Sequence, residues 1–78
     1  MYEPLIKRLD ESMQQLESST LIKDSVRAEL QKQGLLFAAF LSDAEAGRVT
    51  MPASELQKDL DLISDFCSLI STTLSPQN

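Results

Sequence analysis

Residues 56–74 read LQKDLDLISDFCSLISTTL. Alternate steps of four and three pick out Leu56, Leu60, Ile63, Cys67, Ile70 and Leu74, with no charge among them. This is a heptad seam, the pattern that holds one helix edge against another helix. Leu62, Phe66 and Leu69 lie beside the seam and widen the apolar front beyond what one partner helix covers. Gln57, Lys58, Asp59, Asp61, Ser64, Asp65 and Ser68 fill the water-facing back. The spacing therefore predicts a helix over 52–74 with one polar side and a broad oily one.

Immediately upstream stands Ala46-Gly47-Arg48-Val49-Thr50-Met51-Pro52. Gly47 suits the left-handed residue that ends a helix. Pro52 pre-sets the φ of a first helical turn, with Thr50 or Met51 expected at the cap. So short a link returns the chain on itself and predicts an antiparallel hairpin. The earlier arm of that hairpin is expected over 21–46, with Val26, Leu30, Phe37, Leu41 and Ala44 facing the core. Gly34 lies inside it, either as a tolerated residue costing about 1 kcal/mol or as a point of close approach. Leu35 to Leu41 is apolar on every side, which asks for burial on every side.

The first helix is expected over 4–17. Pro4 fits a first turn, and Leu5, Ile6, Leu9, Met13 and Leu16 follow helical spacing. Ser18-Ser19-Thr20 competes for backbone hydrogen bonds and predicts a break or hinge, with Ser19 or Thr20 capping the next helix. The tail Ser75 to Asn78 is expected to fray. The expected fold class is all-α: an antiparallel helical hairpin with an additional N-terminal helix, in one domain.

Composition narrows the function. The chain has 78 residues, 7 basic against 12 acidic side chains, a net charge of -5, one Cys and no His. An acidic surface argues against a nucleic acid partner. The longest apolar run is far too short to span a bilayer. The opening Met1-Tyr2-Glu3-Pro4 has neither a basic region nor a long apolar core, so no secretory signal is expected and a reducing, cytoplasmic location fits best. One Cys without His makes neither a disulfide, a Cys–His nucleophile nor a standard zinc cluster. Cys67 reads as a small buried hydrophobe. Asp59, Asp61 and Asp65 lack the loop and Gly of a calcium site and read as a solvated face. Phe37, Phe40 and Phe66 read as core or interface rather than a ligand pocket. No cofactor, metal or catalytic residue is assigned, and an enzyme is not expected. Asp24-Ser25-Val26 invites comparison with the serine of an acyl carrier protein. The pair follows Leu21-Ile22-Lys23 within a helical pattern and lacks the Gly-bearing loop, so two solvent-facing helix residues are the better reading.

The hairpin, its Gly47-to-Pro52 turn and the stripe from Leu56 to Leu74 resemble the small needle-subunit co-chaperones of bacterial type III secretion systems, the YscE-like family. The likeness covers Val26 to Leu74. It implies a cytoplasmic bacterial virulence factor, non-enzymatic and coiled-coil-like, that binds a tetratricopeptide-like partner chaperone. The pair would keep a needle subunit soluble until export. From periodicity, the residues left over for a partner are Leu36, Phe40, Leu62, Phe66 and Leu69. Two other readings stand beside this one: a needle-type structural subunit, or a homodimeric four-helix bundle acting as an adaptor or regulator.

Overall fold

The computed structural model describes residues 2–20 and 22–74. It is all-helical among those residues, with α1 over Glu3–Ser18, α2 over Asp24–Glu45 and α3 over Ala53–Leu74. Helices α2 and α3 form the antiparallel hairpin, and α1 is the additional helix. The bundle measures 41 × 22 × 18 Å.

Each boundary has a local cause. Tyr2 is the N-cap of α1, its carbonyl accepting from Ile6 N–H, with Pro4 in the first turn as expected. The break at the Ser/Thr cluster is present: α1 stops at Ser18, and Ser19 is extended. Arg27 bridges the break by donating from Nη2 to the Ser19 carbonyl. The second helix begins at Asp24, not near residue 21, and its N-cap is Lys23 without a side-chain hydrogen bond. Ser19 and Thr20 lie too far upstream to cap it. The predicted first residue, Leu21, and the tail 75–78 lie outside the described residues.

The end of α2 is a Schellman motif. Gly47 has φ 78°, Arg48 N–H donates to the Asp43 carbonyl at 2.8 Å, and Gly47 N–H donates to Ala44 at 3.1 Å. Pro52 immediately precedes α3, and its carbonyl accepts from Glu55 and Leu56 N–H. Thr50 and Met51, expected at that cap, thus stand outside the first turn.

The core is built around α1, whose backbone approaches both other helices more closely than they approach each other. Leu9 and Leu16 of α1 are buried with Leu41 of α2 and Ile63, Cys67 and Ile70 of α3. The α3 stripe therefore serves two neighbours. On one side Arg8 of α1 donates to Ser64 Oγ at 2.8 Å and Ser68 Oγ at 2.7 Å. On the other, Phe66 meets Phe37 of α2 edge-on. Leu56, Leu60 and Leu74, toward the ends of the stripe, are only half-buried. Val26, predicted for the core, is exposed because it lies in the first turn of α2, at the end of the bundle.

Candidate protein-interaction site

Helical geometry sorts the leftover apolar residues into two faces. Leu36 and Phe40 are four apart and share one side of α2, flanking Phe37, which faces α3. Leu62, Phe66 and Leu69 share the side of α3 turned toward α2. The Phe37 and Phe66 rings, 5.2 Å apart at their centroids, fix the level at which these sides meet. One turn of helix from that level on either arm reaches all four of Leu36, Phe40, Leu62 and Leu69.

The five residues assigned to a partner divide by exposure. Leu36 is 61% exposed, and Leu62 and Leu69 are each 56% exposed. Phe40 is half-buried and packs against the core. Phe66 is 8% exposed and belongs to the core itself, so it offers no free surface in this fold. Its ring meets Phe37 of α2 edge-on and joins the core cluster. Leu36, Leu62 and Leu69, each more than half exposed and within a turn of the Phe37–Phe66 contact, define an α2–α3 strip.

A second apolar surface opens between α1 and α2. It is a groove of about 920 Å³, with Leu9, Met13, Leu35, Ala38 and Leu41 among its apolar walls and Gly34 beside Met13. Leu35, 67% exposed, is the least covered large hydrophobe among the described residues. It lies outside the set Leu36, Phe40, Leu62, Phe66 and Leu69. The signal was the all-round apolar run from Leu35 to Leu41, because one side of a helix cannot hold Leu35, Leu36 and Phe37 together.

At one end of this groove Tyr2 N–H donates to Glu45 Oε2 at 2.8 Å. That bond leads the causes that hold the Glu45 carboxyl below its ordinary value. The contact ties the start of α1 to the end of α2.

Cys67 is buried in the seam, and Ser12 is buried beside Leu9 and Leu16 on α1. Asp61 and Asp65 are exposed, Asp59 is half-buried, and no cluster of His, Cys, Asp or Glu among the described residues could hold a metal ion. No helix among those residues is long and apolar enough to cross a membrane. Asp24 and Ser25 open α2 instead of lying inside a helix, and Asp24 pairs with Arg27 at 3.0 Å. Comparison with protein-family models, curated proteins and solved structures found no match.

Proposed function

We propose that this chain is a non-enzymatic co-chaperone that presents the α2–α3 strip to a helical-repeat partner. The observation that carries this reading is the exposure of Leu36, Leu62 and Leu69, each within about a helical turn of the Phe37–Phe66 contact, on a fold whose own core is already closed by Ile63, Cys67 and Ile70. Leucines left in water cost about 25 cal/mol for each Å² that a partner would cover. An amphipathic helix laid on such a face finds anchors at regular helical intervals. The sequence resemblance supplies the narrower form of the proposal. In that form the partner is a tetratricopeptide-like chaperone, and the pair masks a type III secretion needle subunit in the bacterial cytoplasm.

The experiment is co-expression with such a helical-repeat chaperone, comparing the native chain with a Leu36→Asp, Leu62→Asp, Leu69→Asp variant. A 1:1 complex by multi-angle light scattering is expected for the native chain and not for the variant, with helicity retained by circular dichroism. Equal complex formation by both would remove the strip from the interface. Filaments formed by the purified chain alone would favour a needle-type subunit. A sharp dimer indifferent to the chaperone would favour the self-associating bundle.

A further inference from the structure

We infer that the groove between α1 and α2 is a second docking site, distinct from the α2–α3 strip, and that its occupant is one amphipathic helix of another protein with an apolar spine flanked by Lys or Arg. Three observations converge. The walls are apolar where Leu35 and Ala38 of α2 face Met13 of α1. The rim is acidic: Glu3, Asp10, Glu17 and Glu45 border it, against Lys7 alone of the basic residues, Glu45 already accepting from Tyr2 N–H. The groove also follows α1 from Glu3 to Glu17, about 20 Å or four turns of an occupant helix.

The same features argue against other occupants. A small-molecule site encloses its ligand and fixes it with a few inward polar groups. Here Glu3, Lys7, Asp10 and Glu17 are all exposed and stand on the rim. A second copy of this chain, docking groove to groove about a two-fold axis, would set the same acidic rim against itself. A basic-flanked helix instead brings opposite charges together as its apolar spine covers Leu35. Complementary charge of this kind speeds encounter and rejects the wrong partner more than it adds raw affinity.

The test uses the full chain and two labelled peptides of about 18 residues, long enough to form a helix on binding. Both carry leucines at helical spacing; one is flanked by Lys, the other by Glu. Fluorescence anisotropy at low salt is expected to show the Lys peptide binding at least about tenfold more tightly, with the margin shrinking as salt rises. Backbone NMR shifts are expected at Leu35 and Ala38. An Asp10→Lys, Glu17→Lys variant spares the first-turn acid Glu3 and is expected to reverse the preference with helicity unchanged. Leu35→Gln is expected to weaken both peptides. A Leu62→Asp, Leu69→Asp variant is expected to bind the Lys peptide as the native chain does, so this inference and the proposed function fail separately. Equal affinity for the two peptides would overturn it. So would shifts centred on Leu62 and Leu69, or a native dimer that buries Leu35.

Discussion

The thioether of Met13 occupies the space that a side chain at Gly34 would need. A Cβ placed at position 34 would stand 2.7 Å from Met13 Cε, and closer still to its Sδ. The glycine inside α2 is therefore a point of close approach, made by a side chain of α1 and not by its backbone. Two effects oppose each other when Gly34 becomes Ala. Helix propensity gains about 1 kcal/mol, while Met13 must move from its place, which its flexible chain allows at modest cost. Gly34→Ala is expected to change stability by less than about 1 kcal/mol. In a Met13→Ala background the same change should stabilise by about 1 kcal/mol, since nothing opposes the propensity gain. Urea unfolding of the four chains measures the difference. An identical effect of Gly34→Ala in both backgrounds would show that the two residues do not touch.

Gly47 gives the opposite result for the same substitution. Its φ of 78° lies in the left-handed region, and no atom crowds the site. Gly47→Ala should therefore cost about 1 kcal/mol through backbone strain alone. Gly47→Asn should recover part of that loss, because Asn tolerates the conformation better than Ala. The Arg48–Asp43 pair beside it is exposed on both sides and should contribute little, so Arg48→Ala is expected to shift stability by less than about 0.5 kcal/mol. Thermal melts of the three variants would rank them.

Phe66 and Leu69 sit three residues apart on α3 and should respond differently to truncation. Phe66→Ala removes a buried ring from its contact with Phe37 and is expected to cost about 3–5 kcal/mol. For a chain this small that is a large part of the stability. Leu69→Gln changes an exposed position and should stay within about 0.5 kcal/mol. Cys67 supplies an independent readout: its buried thiol should react with a disulfide reagent only as fast as the helix opens. Rapid labelling in the native chain would contradict the packing of α3.

Much of this arrangement was legible in the residues. The stripe Ile63, Cys67, Ile70 is buried as its spacing required, and Gly47 turns the chain where Gly followed by Pro52 placed a turn. The Ser18-to-Thr20 break was legible too, because the apolar phase of α1 ends at Leu16. Periodicity did not show how many neighbours α3 has. A stripe three or four residues apart looks the same whether it meets one helix or is divided between two. Phe66 was accordingly left over for a partner, although it closes the gap toward α2. The α1–α2 groove was hidden for a related reason. Leu35 becomes a surface residue only once α1 has taken the side of α2 beside it, and long-range placement of that kind is not written in local spacing.

Glu45 is the final residue of α2, where the helix dipole disfavours a carboxylate. Its carboxyl is nevertheless held below its ordinary value, chiefly by the hydrogen bond from Tyr2 N–H. A group whose folded value is depressed contributes its full stabilisation above the ordinary glutamate value of about 4.3, and loses it as pH falls through the lower folded value. Glu45→Gln keeps a carbonyl that can accept from Tyr2 but removes the charge. The native chain should therefore melt above Glu45→Gln at pH 7, and the gap should close as pH drops below the ordinary glutamate range. Glu45→Ala loses the acceptor as well and should melt lowest at pH 7. If the gap between the native chain and Glu45→Gln stays constant across that range, the carboxylate charge is not what fastens the start of α1 to the end of α2, and the neutral hydrogen bond alone does so.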